Sequence, residues 1–117
     1  MRSERDKAVA TAQSAFYIVT GLWPLLHRRS FERVTGPKVD FWLVETVGVT
    51  VASIGLGLAQ VLHRGRPVPP ELRSVAIAAA AGLAVLDTVY VARRRISPVY
   101  LLDAAAEAAL IVGWLRS

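Results

Sequence analysis

The sequence predicts an all-α fold, a four-helix transmembrane bundle with short loops, and three observations predict it. Hydrophobic residues make up 54% of the 117. Uncharged runs cover 8–26, 46–62 and 74–86, and between Arg95 and Arg116 only Asp103 and Glu107 interrupt. The Lys and Arg residues gather in the connections. A surface helix of a water-soluble bundle carries a strongly polar half, and none of these runs has one. Four segments near the roughly 17–25 residues that a bilayer crossing takes, with basic residues between them, describe a membrane protein. Residues 1–117 form a single integral membrane domain.

The first helix, 8–26, follows the charged tail MRSERDK and runs into His27-Arg28-Arg29 with no small-x-small cleavage site, so the sequence predicts a retained span, not a signal peptide. Gln13, Tyr17, Thr20, Pro24 and His27 recur at spacings of four and three, which makes them its inward stripe. Trp23 suits the headgroup boundary. In the connection HRRSFERVTGPKV, Ser30 is placed to cap a short interfacial helix reaching Val34, with Phe31 and Val34 dipping into the headgroup layer. Thr35-Gly36-Pro37-Lys38 reads as a turn, and Asp40 as the cap of the second helix, 41–62.

The second helix has two small or polar rows, one of Glu45, Gly48, Ala52, Gly55 and Ala59, the other of Thr46, Thr50, Ser53, Gly57 and Gln60. Both rows are expected against neighbours, because small residues let backbones approach. The aliphatic row Val47, Val51, Ile54, Leu58 and Val61 is expected toward lipid. Gly65 reads as a C-terminal cap, and Pro70 suits a first helical position before the third helix, 72–92. That helix is Ala-rich and carries Asp87, Thr88 and Tyr90. Ser97 as cap and Pro98 at the first position open the fourth helix, 98–115.

The fourth helix holds the chemistry. Asp103 and Glu107 are four residues apart, hence on one face, which Tyr100 and Trp114 share. Ionisable groups in a membrane turn toward a bundle interior or a water-filled cavity. The side carrying the loops around Lys38 and Arg94 is here side B, and the side carrying both termini side A. Counted along the helices, Glu45, Asp87 and Asp103 fall at similar depth, on the order of 8 Å inside side B, with Glu107 one turn deeper. His27, Tyr90 and Tyr100 line the same side. Together these seven residues are candidates for binding a proton, a cation or a small polar solute. Arg28, Arg29, Arg33, Lys38, Arg93, Arg94 and Arg95 form a basic collar suited to anionic headgroups.

Other functions find less support. His27 and His63 fall on opposite sides, so no two-His metal site forms, and no nucleophile motif, phosphate loop or nucleotide fingerprint is present. The sequence therefore implies no metal, no cofactor and no residue-level case for catalysis. Its net charge of +5 is explained by arginines facing headgroups, without nucleic acid. The partner it implies is the lipid bilayer, with a homo-oligomer or a larger membrane complex left open. A structural or accessory subunit, whose acids only pin helix register, and a lipid-binding protein using the collar are the alternative readings.

The blocks GLWPLLHRRSFERVTGPKVDFWLVETVG and YVARRRISPVYLLDAAAE resemble a family of small bacterial membrane proteins with four predicted helices. The resemblance implies a location in the bacterial inner membrane and brings no activity or ligand with it. In size and near-balanced charge the chain is also similar to small multidrug resistance transporters, but their key acid lies in the first helix, and 8–26 contains none. Orientation is tied by charge count. Arg2, Arg5, Lys7, Arg64, Arg66, Arg73 and Arg116 stand on side A against the seven collar residues. The compact loop charges of side B favour that face as cytoplasmic, and dual insertion with antiparallel pairing is the alternative.

Overall fold

Long apolar segments punctuated by Gly and Pro leave the backbone one way to satisfy its own polar groups, and the chain takes it throughout. The computed structural model, which describes residues 2–117, is all-helical: α1 (Arg2–Leu26), α2 (Arg28–Thr35), α3 (Phe41–His63), α4 (Pro70–Ala92) and α5 (Tyr100–Leu115). This corrects the four-helix transmembrane bundle. Five helices are present, and three of them, α1, α3 and α4, are long and apolar enough to cross a membrane. The physical reason lies at the start of α5. Ser97, Pro98 and Val99 form tight turns, their carbonyls accepting from the N–H groups of Tyr100, Leu101 and Leu102. Only 16 helical residues remain, about 24 Å at 1.5 Å per residue, against a hydrocarbon core of about 30 Å.

The other ends follow from local chemistry. The charged tail extends α1, with Glu4 in its first turn. α2 begins at Arg28 because His27 caps it: His27 Nδ1 accepts the Ser30 backbone N–H at 3.2 Å. Ser30 is thus the third residue of that helix and not its cap. Asp40 precedes α3 but makes no side-chain cap bond, while Pro70 opens α4. Gly65, at φ 65°, closes α3, with Arg66 N–H donating to Val61 O and Gly65 N–H to Leu62 O. The same closure ends α4 at Arg94, a non-glycine residue at φ 58°.

Two helix pairs make the molecule. α1 lies on α3 at near backbone contact: a Cβ on Gly21 would stand 2.6 Å from Gly48 O and 2.8 Å from Ala52 N. One turn further, Gly55 sits against Ser14 and Ile18. α4 lies on α5. The pairs join at the side A end through a cluster that includes Val9, Ala10, Leu58, Val68, Leu110 and Trp114.

This packing corrects the faces expected of α3. Its first small row does meet α1, but in the aliphatic row only Val47 is exposed, while Leu58 is fully buried and Val51, Ile54 and Val61 pack on the core. Thr46, Thr50 and Ser53 are exposed instead. Each donates its hydroxyl to the carbonyl four residues back, Trp42, Thr46 and Val49 respectively, at 2.7–2.9 Å. A hydroxyl satisfied within its own helix can face hydrocarbon, so a polar row is not by itself an interior row.

Candidate functional site

α1 and α5 cross where their polar stripes meet. Tyr17 Oη donates to Glu107 Oε1 at 2.6 Å, and both residues are essentially inaccessible. One turn toward side A, Trp114 Nε1 donates to Gln13 Oε1 at 2.6 Å, and Gln13 Nε2 donates to the Ala76 carbonyl of α4 at 3.0 Å. Arg73 Nη2 donates to the Trp114 carbonyl at 2.6 Å. Gln13, Tyr17 and Trp114 thus tie α1, α4 and α5 into one plug. Gln13 is thereby committed at both ends of its amide.

On the side B face of this plug lies a cleft of about 380 Å³. Val47, Gly48 and Val51 of α3 and Leu83 of α4 make apolar walls, while Asp87, Asp103 and Glu107 line one flank. The three carboxyls are thus gathered on one wall of the cleft, two from α5 and one from α4. Acids gathered on one apolar wall are relieved by a proton or a cation among them. Asp87 is 8% exposed, and its Oδ2 is buried with no donor in reach. A buried acceptor left open costs free energy.

The mouth on side B is built by the connection between α1 and α3. Phe31 packs edge-on against Trp23 and Phe41, with ring centroids 5.3 and 6.3 Å away. Lys38 Nζ donates to the carbonyls of Thr35 and Gly36 at 2.9 and 2.8 Å and stands 5.3 Å from the Tyr100 ring centroid. Burial holds its ammonium below the usual lysine range. Glu32 fastens this loop, accepting the Lys38 backbone N–H at 2.8 Å and the Arg28 guanidinium at 2.9 Å. Those two donors, the backbone N–H first, hold its carboxyl below the usual carboxylate range.

Of the seven candidate ligand residues, the structure brings four together: Asp87, Tyr100, Asp103 and Glu107. The other three lie elsewhere. Glu45 is exposed and does not line the cleft, Tyr90 is 39% exposed beside Arg93, and His27 is engaged as the cap of α2. Depth along a helix put them at the right level, but rotation about the helix axis carries them off the cleft. In the collar, Arg29, Arg33, Arg93, Arg94 and Arg95 are exposed. Arg28 lies over the Phe41 ring at 4.1 Å, and Lys38 is turned into the mouth. Tyr17, Gln13 and Arg73 were not among the candidates. The spacing of Gln13 and Tyr17 marked them as inward, but nothing in the sequence names their partners.

No protein-family model, curated protein or solved structure matches this chain. The resemblance to small bacterial membrane proteins adds nothing to the geometry, which carries the functional reading alone. Among the described residues no group of His, Cys, Asp or Glu converges as a metal-binding set.

Proposed function

We propose that this chain is a multi-pass protein of the bacterial inner membrane that binds a proton or a cationic solute at Asp87, Asp103 and Glu107. One observation carries the reading: three carboxyls, Asp87, Asp103 and Glu107, line one flank of an apolar cleft, and Asp87 Oδ2 lacks a hydrogen-bond partner. Ionisable groups at such depth are expensive and are characteristic of ion and proton sites. Occupancy by a cation expels the shared proton, so binding and proton release are linked. The plug at Tyr17, Gln13 and Trp114 makes the cleft one-sided, which suits a binding step better than an open channel.

The experiment is a proton count. Purified protein in weakly buffered micelles is titrated with base under a pH indicator, wild type against the triple variant D87N/D103N/E107Q. The wild type is expected to release more protons than the triple variant, whose remaining acids and histidines are common to both. Identical titrations would remove the reading. The second reading, a structural subunit, is favoured by the Tyr17–Glu107 bond, which fixes the register of α1 on α5. Under it, the same substitutions change stability without any change in proton release.

A further inference from the structure

A second groove opens on the side B surface, on α2, where Arg28, Arg29, Glu32, Arg33 and Pro37 line it. Two of these charges are already committed. Glu32 Oε1 accepts the Arg28 Nε–H at 2.9 Å, and Glu32 Oε2 accepts the Lys38 backbone N–H at 2.8 Å. Arg28 is held by that carboxylate and by the face of the Phe41 ring, 4.1 Å from its centroid. Arg29 and Arg33 remain. Both are exposed, and the ion pairs among the described residues, Glu4–Lys7 and Arg28–Glu32, include neither.

Residues four apart on a helix have Cβ atoms about 5–6 Å apart, so Arg29 and Arg33 share one side of α2, where like charges repel. A phosphate relieves both, because a guanidinium is a planar fork of donors matched to its oxygens. The platform beneath them is fixed. His27 caps α2, and Phe31 packs edge-on against the rings of Trp23 and Phe41. The setting supplies the rest of the ligand. α2 joins the side B ends of α1 and α3, two helices long and apolar enough to cross a membrane, which places it at the headgroup layer. Leu26, Val34 and Val39, on α2 or close to it in sequence, are exposed apolar side chains. Arginines beside exposed apolar residues match a molecule that carries both a phosphate and acyl chains.

We propose that Arg29 and Arg33 hold the phosphate of an anionic phospholipid at the side B surface, with its acyl chains beside Leu26 and Val34. The headgroup carries no cation of its own, since a trimethylammonium would meet the same two arginines. This groove shares no lining residue with the acidic cleft, so the lipid site and the cation site stand or fall separately. They touch at one element: α2 also carries Phe31, which lines the cleft, so a lipid held on α2 is fixed to part of the mouth.

The test uses the full chain in neutral maltoside micelles and three probes, dioctanoyl phosphatidylglycerol, dioctanoyl phosphatidylcholine and inorganic phosphate, each titrated by calorimetry against empty micelles. The phosphatidylglycerol is expected to bind saturably and at least about tenfold more tightly than the phosphatidylcholine. Inorganic phosphate, which brings no apolar body, is expected to bind at least about tenfold more weakly than the phosphatidylglycerol. R29Q/R33Q is expected to weaken the phosphatidylglycerol about tenfold and to leave the phosphatidylcholine unchanged. R93Q/R95Q removes the same charge from the other side B loop and is expected to change the phosphatidylglycerol affinity by less than about twofold. Should R29Q/R33Q lose its helical circular dichroism, the single variants R29Q and R33Q carry the same comparison. Equal affinity for the two lipids overturns the proposal. An equal loss in R29Q/R33Q and R93Q/R95Q does so too, since the lipid would then answer to the charge of the whole face. Phosphate binding as tightly as the phosphatidylglycerol would give the arginines to a free anion and overturn the lipid.

Discussion

At the scale of single residues, the deepest acid is held by one hydrogen bond. Tyr17→Phe removes the hydroxyl that donates to Glu107 Oε1 and leaves a buried carboxyl oxygen open, a cost of about 1–3 kcal/mol. Glu107→Gln keeps an acceptor for Tyr17 Oη and is expected to cost less. Denaturant titration of the micelle-bound protein by circular dichroism ranks the two, and a Tyr17→Phe variant as stable as wild type removes the bond from the account. Half of this contact was legible in the sequence. The four-residue spacing of Gln13 and Tyr17, and of Asp103 and Glu107, placed each pair on one face. Which face meets which is a matter of helix rotation over 90 residues of separation, and no local pattern encodes that.

At the scale of elements, the glycines separate contact from composition. A Cβ at Gly48 meets the Gly21 carbonyl, which is backbone and cannot swing aside, whereas nothing lies within 4 Å of one at Gly82. Gly48→Ala is therefore expected to destabilise by about 1–3 kcal/mol, in the manner of overpacking. Gly82→Ala is expected to gain about 0.5–1 kcal/mol from helix propensity. The reverse order in an unfolding titration would show that α1 and α3 are paired differently. The sequence marked Gly48 and Gly55 as a packing row but marked the Thr46 row equally, because it does not reveal that those hydroxyls bond to their own helix. The α2 loop adds a pH dependence. Glu32 is held below its unfolded value of about 4.3, so its contribution is present above that pH and is lost as pH falls through the lower folded value. The Lys38 backbone N–H is expected to lose hydrogen-exchange protection on acidification below about pH 4 in wild type. In Glu32→Gln that acid-dependent loss should be absent. Equal acid sensitivity in both would assign the loop's stability to other groups.

At the scale of the whole molecule, hydropathy revealed the class and depth revealed the acids, but neither revealed the join between the two helix pairs. Length misled at α5, because Pro98 and Val99 read as its first helical residues and yet lie in turns. The plug is the feature that decides what such a molecule can do. Leu83 lines the cleft on its side B, while Ala76 is fully buried in the core cluster near the side A end of α4, its carbonyl held by Gln13. The chain has no cysteine, so a single introduced thiol reports one place. Leu83→Cys is expected to react with a small maleimide, and Ala76→Cys about tenfold more slowly, since a buried thiol reacts only when the structure opens. Adding Tyr17→Ala to Ala76→Cys removes the side chain that links α1 to Glu107 and should raise that rate. Wild-type-background Ala76→Cys reacting as fast as Leu83→Cys would mean that the cleft continues through the bundle. A channel would then replace the one-sided site.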